Sequence, residues 1–204
     1  MIHLFLVGIG TGNPDHLTLQ AIKALNAADL LPLRARVGRL VVDESFGDVA
    51  PALSMLPHAG GDGLLVMRSF GKFWGLAGAR LGFVFGGAAD IAAMTAMAGP
   101  WPVSGAALHI GKIALQDRDW ADATRLRLQA EVARMDALVG PAGWQVVGGT
   151  ALFRLYRTAD AVLAQDRLAR ARIWSRIFPW QAHWVRLGLP GDEAEWARLE
   201  QALA

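Results

Sequence analysis

The fold of this chain is limited most narrowly by a short apolar run that ends in a carboxylate. Leu40, Val41 and Val42 are followed at once by Asp43. A continuous run of this kind is typical of a strand that is buried on both faces of a parallel sheet, and ligands bind in the crevice at the carboxyl ends of such strands. The run therefore predicts an α/β fold with Asp43 at a functional edge. Taken alone, Asp43 is equally consistent with a helix N-cap or a turn.

A second apolar run, at residues 64–67, leads into a segment that contains Lys72, one of only three lysines in the chain. A lysine amine can lose its proton and attack a carbonyl to form a Schiff base, whereas an arginine side chain stays protonated. The nearby Ser69 and Arg80 offer a hydroxyl and a guanidinium, which are donors that a phosphate accepts. Together these residues favour a phosphorylated aldehyde, pyridoxal 5′-phosphate (PLP). The alternative is an ordinary surface lysine in a loop.

The runs VVDESF and RSFGKFWGLAGARLGF resemble the fold-type I PLP enzymes of the aminotransferase superfamily, and most of all the threonine-phosphate decarboxylase-like proteins of cobalamin biosynthesis. The resemblance implies that Asp43 pairs with the pyridinium nitrogen and that Lys72 forms the Schiff base with the cofactor. It also implies that Ser69 and Arg80 hold the cofactor phosphate. Three residues past the aspartate, where many aminotransferases have a tyrosine, this chain has Phe46. In this position the chain resembles the decarboxylase-like branch more than it resembles the general transaminases.

The resemblance extends to the C-terminal region, where residues 148–155 and 177–190 resemble strands of the family's small domain. Arg186 stands where the family places the arginine that binds the substrate carboxylate. A planar guanidinium can bind a carboxylate with two parallel hydrogen bonds. The structural alternative is that Arg186 caps a helix or pairs with an acid in the segment 192–200. Arg154 is a weaker candidate, as a ligand for a substrate phosphate.

Residues 1–31 have a different character, because an apolar strand, a glycine-rich turn and a helix start follow one another. Gly8, Gly10 and Gly12 on their own indicate only a tight turn. The whole segment resembles the opening of the tetrapyrrole methylases, with the S-adenosylmethionine-dependent precorrin-6A synthase as the nearest likeness. The two resemblances imply a splice near Pro32. Before the aspartate strand the PLP-type family has a glycine-rich phosphate turn, a stacking aromatic residue and an asparagine, and none of these can be located here.

Three segments are therefore expected. They are a methylase-like strand and helix fragment at 1–31, a partial PLP-binding large domain with a mostly parallel sheet at 33–115, and a linking helix with a C-terminal α+β small domain at 116–204. Within the last segment, hydrophobic periodicity predicts helices at 117–139, 159–169 and 192–203, and strands at 144–147, 151–156, 172–178 and 183–187. Residues 91–108 are expected to form two short buried helices around a loop.

Composition excludes several classes of function. The chain is 53% hydrophobic, with a mean hydropathy of +0.30, so it can bury a sizeable core. Its net charge of +2 comes from interspersed residues, which argues against a nucleic-acid partner. The uncharged stretch 91–108 is broken by Gly99-Pro100, which argues against a membrane span. The five histidines share no ligand spacing, so no metal is expected, and the absence of cysteine is compatible with the cytoplasm.

The resemblance implies a small-molecule substrate, an amino-acid phosphate such as L-threonine O-3-phosphate. The expected reaction is decarboxylation, and aminotransfer is its near alternative. The family's usual assembly, a homodimer, is expected if the chain folds. Two other hypotheses stay open. The chain could be a non-catalytic fusion remnant, inactive through truncation, or a fragment of an S-adenosylmethionine-dependent precorrin methyltransferase.

Overall fold

The computed structural model describes residues 4–8 and 27–204. The chain divides into two compact units, Met1–Arg118 and Asp119–Ala204. The glycine-rich turn and most of the helix expected after the first strand fall at 9–26, outside the described residues. Among the described residues, no helix has both the length and the apolar content needed to cross a membrane.

A four-stranded sheet forms the centre of the first unit, in the order β1-β2-β3-β4. The strands β1, β2 and β3 run parallel, whereas β4 is antiparallel to β3. In register, Gly8 of β1 lies opposite Asp43 of β2, which lies opposite Met67 of β3. The four strands are Leu4–Gly8, Arg39–Asp43, Leu64–Ser69 and Gly82–Phe85.

The middle of β2 is buried on both faces, as the apolar run predicts. Leu40, Val41 and Val42 are all buried, and Leu40 and Val42 belong to the larger core cluster of this unit. That cluster also contains Leu30 of the helix α1 (Ala27–Arg34) and Met55. The burial accounts for the unbroken aliphatic sequence, because a strand covered on both sides has no polar face.

Two further helices complete the first unit, α2 (Ala88–Ala98) and α3 (Gly105–Gln116). The Ser104 hydroxyl accepts a hydrogen bond from the Ala107 amide and so caps α3. The expected pair of helices around a loop is therefore present, but the expectation that both are buried is wrong. No residue of α2 is buried. Helix α3 buries only Ala107 and Gly111, because only one narrow strip of this helix packs against the core.

The second unit has the predicted order of elements. The helix α4 (Arg118–Val139) is followed by β5 (Gln145–Thr150), β6 (Phe153–Arg157), α5 (Ala161–Arg170), β7 (Arg176–Phe178), β8 (Gln181–Gly188) and α6 (Glu193–Leu203). Its sheet is antiparallel, in the order β5-β6-β8-β7. The core combines residues from all of its helices with residues of β6 and β8, including Met135, Tyr156, Leu168, Val185 and Trp196. A mostly parallel α/β unit is thus followed by an α+β unit, as expected from the sequence.

Candidate functional site

The topology of the first unit brings four of the predicted site residues to one edge of its sheet. The parallel strands β2 and β3 end at Asp43 and Ser69. Because β4 is antiparallel to β3, it begins at this same edge, and Arg80 lies two residues before it. Lys72 lies in the turn that connects β3 to β4. Asp43, Ser69, Lys72 and Arg80 are therefore gathered where open α/β sheets bind ligands.

The Lys72 side chain is exposed, and its Nζ lies 5.4 Å from the centroid of the Phe46 ring. The ring attracts the ammonium by a cation–π interaction. Within residues 4–8 and 27–204, Nζ forms no hydrogen bond or ion pair. Phe46 is itself buried and stands three residues after Asp43. The Lys72 amine is therefore uncommitted and lies beside the segment that follows β2.

The half-buried Asp43 uses one carboxylate oxygen in local hydrogen bonds, and its other oxygen is available to accept a hydrogen bond from a ligand. Its Oδ1 accepts hydrogen bonds from the Ser45 amide, at 2.9 Å, and from the Ser45 hydroxyl. Its Oδ2 has no hydrogen-bond partner in the described part of the chain. A local turn of this type holds an aspartate in one orientation. The turn and the functional interpretation of Asp43 are therefore compatible, since the turn uses only one of the two oxygens.

Ser69 and Arg80 retain unused donors at the same edge. The Ser69 hydroxyl oxygen accepts a hydrogen bond from the Gly71 amide at 3.1 Å, which leaves its own hydrogen to donate. Arg80 is exposed, and of its guanidinium nitrogens only Nη1 donates to a described group, the Ala77 carbonyl at 3.3 Å. Its backbone is left-handed, with φ of 53°, which costs a non-glycine residue roughly 1–2 kcal/mol. Such strained positions cluster at ligand-binding sites.

The chemistry of this edge fits PLP. An uncommitted amine suits the aldehyde, a carboxylate oxygen without a partner suits the pyridinium nitrogen, and a hydroxyl with a guanidinium suits the phosphate. In the described residues, no cluster of three or more histidine, aspartate or glutamate side chains is arranged to hold a metal ion.

Sequence reasoning missed a buried charged network close to this edge. Glu44 follows Asp43 directly and is only 1% exposed. Its carboxylate accepts hydrogen bonds from the Met55 amide at 2.5 Å and from the Ser54 hydroxyl at 2.6 Å, and Arg68 Nε lies 3.0 Å from it. The only available signal was a second acid placed directly after a buried strand. The partners of Glu44 are 10 to 24 positions away in sequence, so their contact could not be foreseen.

Arg186 lies in the second unit, on β8, across from Arg176 of β7. Its Nη1 is buried and has no hydrogen-bond partner among the described residues, and its Cζ lies 5.0 Å from the Phe153 ring centroid. Burial, and then the charge of Arg176, hold the pKa of Arg186 below its ordinary value. The alternative in which Arg186 pairs with an acid in the segment 192–200 is not observed in the described residues. A partly buried guanidinium without an acid partner is suited to binding an anion.

A surface cavity of about 570 Å³ contains this arginine, and its lining residues are Gln165, Trp174, Ser175, Arg176, Ile177, Arg186 and Gly188. The Ser175 hydroxyl is a second buried polar group without a partner in the described part of the chain. Sequence reasoning did not single out Ser175 or Arg176. Arg154, by contrast, is held by two hydrogen bonds to Asp136, at 3.0 and 2.6 Å, so its guanidinium is engaged within the unit.

Comparison with known proteins adds a family match that spans most of the chain. The family model for aminotransferase class I and II matches residues 23–203. The match includes the four residues at the sheet edge as well as Arg186.

Two known proteins are similar in sequence to most of this chain. A threonine-phosphate decarboxylase from Pseudomonas aeruginosa is 43% identical over 185 residues, which cover 89% of this chain and 56% of the relative. A threonine-phosphate decarboxylase from a Sinorhizobium species is 45% identical over 207 residues, covering 99% of this chain and 60% of the relative. The chain therefore spans less than two thirds of the length of these relatives.

A solved structure agrees with the described architecture. The histidinol-phosphate aminotransferase from Sinorhizobium meliloti, in complex with PLP, superimposes with a TM-score of 0.77 at 23% identity. The match covers 87% of this chain and 52% of that structure. At this level of identity the comparison establishes a shared fold.

Proposed function

The chain belongs to the aminotransferase class I and II family, and from that premise we propose that it binds PLP at the edge of the first sheet and descends from threonine-phosphate decarboxylases. One observation carries the proposal. The end of β2, the end of β3, the turn after β3 and the start of β4 lie at one edge of the sheet and carry complementary groups. Those groups are an amine, an acid and two phosphate donors, supplied by Lys72, Asp43, Ser69 and Arg80.

Each residue has a distinct role in the proposed chemistry. When bound, PLP supplies an electron sink that accepts the electron pair of a bond broken at the substrate α-carbon. Lys72 Nζ would hold the cofactor at its aldehyde group and, when free, would carry a proton to or from the substrate. Asp43 Oδ2 would accept a hydrogen bond from the ring nitrogen and so favour its protonated form. The Ser69 hydroxyl and the Arg80 guanidinium donate to the cofactor phosphate.

The second unit supplies the proposed substrate contacts. Arg186 binds the substrate carboxylate, since its buried Nη1 is without a partner in the described residues. Arg176 and Ser175 line the same cavity, so the cavity can accommodate a second anionic group. A substrate with two such groups, an amino-acid phosphate, is therefore proposed. L-Threonine O-3-phosphate is the specific candidate, because both high-identity relatives are threonine-phosphate decarboxylases.

The proposed reaction is decarboxylation, as a step of cobalamin biosynthesis in the cytoplasm. Phe46 supports it over aminotransfer, because Phe46 removes the hydroxyl that many aminotransferases place near the ring. The proposal divides the chain into the segments 1–31, 33–115 and 116–204, and the first of these has a separate ancestry.

A second candidate function is a protein of the same descent without catalytic activity. The residues of this chain span 56% and 60% of the two relatives named above, and the activity measurement below decides between the two candidates. The family residues expected before the aspartate strand were not located in the sequence.

The test is to incubate the purified protein with PLP, reduce it with borohydride and map the modified lysine by mass spectrometry. The chain has three lysines, Lys23, Lys72 and Lys112, so the result is unambiguous. We expect the label on Lys72, its loss in Lys72→Ala and its retention in the control Lys112→Ala. Equal labelling of all three lysines would overturn the proposal. Release of carbon dioxide from L-threonine O-3-phosphate then separates an active enzyme from an inactive descendant.

We also propose that the protein is a homodimer. The support is an apolar surface on and beside α2 and α3, which includes Met97 at 87% exposure and Trp101 at 90%. Large exposed apolar patches often mark sites of protein–protein contact. We expect sedimentation analysis to give a dimer that Trp101→Glu dissociates. The control Leu163→Glu, at an exposed apolar site of the second unit, leaves the mass unchanged, and a wild-type monomer would contradict the proposal.

A further inference from the structure

We propose that Arg68, held between Glu44 and Asp48, is a positioning residue that fixes the Lys72 turn against the segment that follows Asp43. This inference rests on the proposed function, because it concerns how the amine and the acid of one cofactor site are held in register. None of the three charged residues is placed in contact with the cofactor. Their effect is exerted through the segments that they connect.

The first connection joins the end of β2 to the loop that follows it. Glu44 is the next residue after Asp43, and both of its carboxylate oxygens are engaged. Oε1 accepts from the Met55 amide at 2.5 Å, and Oε2 accepts from the Ser54 hydroxyl at 2.6 Å. A buried carboxylate has to be bonded in this way, because an isolated charge would be strongly disfavoured. The direction of the chain immediately after Asp43 is thereby fixed.

The second connection joins this loop to β3. Arg68 precedes Ser69 on β3, and its Nη1 lies 2.7 Å from Asp48 Oδ1. Its Nη2 donates to the Ser54 hydroxyl at 2.8 Å. Arg68 Nε lies 3.0 Å from Glu44 Oε2 without a well-directed hydrogen bond, so that contact is mainly electrostatic. One guanidinium therefore binds two acids and a hydroxyl of the loop, which a lysine ammonium could not do with the same geometry.

The third connection reaches the Lys72 turn. Asp48 Oδ2 accepts a hydrogen bond at 3.2 Å from the indole Nε1 of Trp74, two residues after Lys72. The indole also stacks on Phe70, with ring centroids 5.4 Å apart and an interplanar angle of 14°, and meets the edge of Phe73. The two carboxylate oxygens of Asp48 therefore connect the Lys72 turn to β3. The turn in this position holds Nζ over the Phe46 ring.

The chemistry of these contacts favours a role in positioning the site residues over a role in the stability of the fold alone. A buried ion pair is often no more stabilising than well-packed apolar residues of the same size. Here the three charged side chains link the ends of the two strands that carry Asp43 and Ser69 to the turn that carries Lys72. Fixed geometry is what a cofactor site requires from its surroundings.

The experiment compares Trp74→Phe and Asp48→Asn with the wild-type protein. Trp74→Phe removes the indole N–H but keeps an aromatic ring for stacking. Asp48→Asn removes the charge opposite Arg68 and keeps the size of the side chain. The matched control is Asp136→Asn, which breaks an Arg–Asp pair of similar exposure in the second unit. All four proteins are first compared by thermal unfolding.

Two measurements follow, one of which needs no cofactor. In the cofactor-free protein, the rate of reductive methylation of Lys72 is divided by that of Lys112 in the same molecule. We expect this ratio to change about threefold or more in both variants and to stay constant in Asp136→Asn. The Kd of PLP should rise about tenfold in both variants, a change of about 1.4 kcal/mol. The double variant should be no worse than the more affected single variant, because the two contacts lie in series between Arg68 and the Lys72 turn.

The outcomes separate this inference from the proposed function. If both variants lose thermal stability while the methylation ratio and the Kd of PLP stay at wild-type values, the network is merely structural and the inference is wrong. An equal change in Asp136→Asn would show a global effect and would also overturn it. If the wild-type protein does not bind PLP at Lys72, the proposed function fails, and the methylation ratio still decides whether the network positions the amine.

Discussion

Asp136 fixes two side chains of β6 in the second unit. Its carboxylate accepts two hydrogen bonds from Arg154 and one from the Tyr156 hydroxyl at 2.8 Å. Tyr156 is fully buried in the core of this unit. Burial, followed by the neighbouring Asp136, raises the pKa of Tyr156 well above its ordinary value of 10.0. The buried hydroxyl therefore stays protonated under conditions in which an exposed tyrosine ionises.

This arrangement predicts an alkaline limit to stability. A group whose pKa is raised on folding contributes stability below its unfolded pKa, about 10 for tyrosine, and loses that contribution as the pH rises toward its folded pKa. We expect the thermal midpoint to fall above pH 10 in the wild-type protein and to fall less in Tyr156→Phe. At pH 7 the same variant should be about 1 kcal/mol less stable, because it loses one hydrogen bond.

Tyr156 is the only tyrosine in the chain, so absorbance of the phenolate reports its titration directly. Titration of the folded protein with the midpoint of free tyrosine would contradict the prediction. An equal fall of the thermal midpoint above pH 10 in the wild-type protein and in Tyr156→Phe would also contradict it.

Some of the site residues could be predicted from the sequence, and others could not. Asp43 and Lys72 could be proposed because each stands in a distinctive run, and the topology then placed them at one edge. Ser175 and Arg176 carry no such local signal, and the position of Glu44 after a buried strand does not reveal its partners. Their surroundings come from contacts such as that between Glu44 and Arg68, which exist only once the strands have paired.

At the scale of elements, α5 depends on the residue that precedes it. The Asp160 Oδ1 accepts hydrogen bonds from the amides of Val162 and Leu163, at 2.8 and 3.0 Å. These amides belong to the first turn of the helix and have no partner within it. The cap accounts for the observed start of α5 at Ala161, two residues later than predicted.

We expect Asp160→Ala to lower the free energy of unfolding by about 1 kcal/mol, the usual cost of losing an N-cap. The control is Asp166→Ala on the same helix, where the ion pair with Arg170 is exposed. Exposed ion pairs contribute roughly 0–1 kcal/mol, so Asp166→Ala should lower the free energy of unfolding clearly less than Asp160→Ala does. Urea unfolding followed by circular dichroism measures both, and equal losses would show that the cap is not the cause.

Other element boundaries show why periodicity alone is insufficient. The strand expected at 172–178 begins only at Arg176. Arg172 has a left-handed backbone with φ of 61°, which ends the preceding helix segment and is incompatible with an extended strand. For α2, apolar composition suggested burial although the helix is largely exposed, because composition does not reveal which partner surface is present.

At the scale of the whole molecule, each unit has its own apolar core. Among the described residues, the core of the second unit consists of residues of that unit, between Met135 and Leu203. The two core clusters of the first unit lie between Leu30 and Ala114. A unit with a separate core can in principle fold by itself.

We therefore expect a fragment of residues 118–204, which keeps α4 intact, to fold on its own. It should give dispersed amide resonances and a cooperative thermal transition. A fragment in which Trp196, a buried core residue, is replaced by Ala serves as the control and should lose that transition, because emptying a large core site costs about 3–5 kcal/mol. A wild-type fragment with the spectrum of an unfolded chain would contradict the prediction.

The pairing of β1 with β2 has an evolutionary consequence. The two strands are joined in parallel over five residue pairs, from Leu4 with Arg39 to Gly8 with Asp43. Such pairing is made by main-chain groups that every residue other than proline possesses. A sheet can therefore exchange an edge strand between sequences that differ in their side chains. Recombination that replaced β1 would leave the backbone of the strands beside it in place.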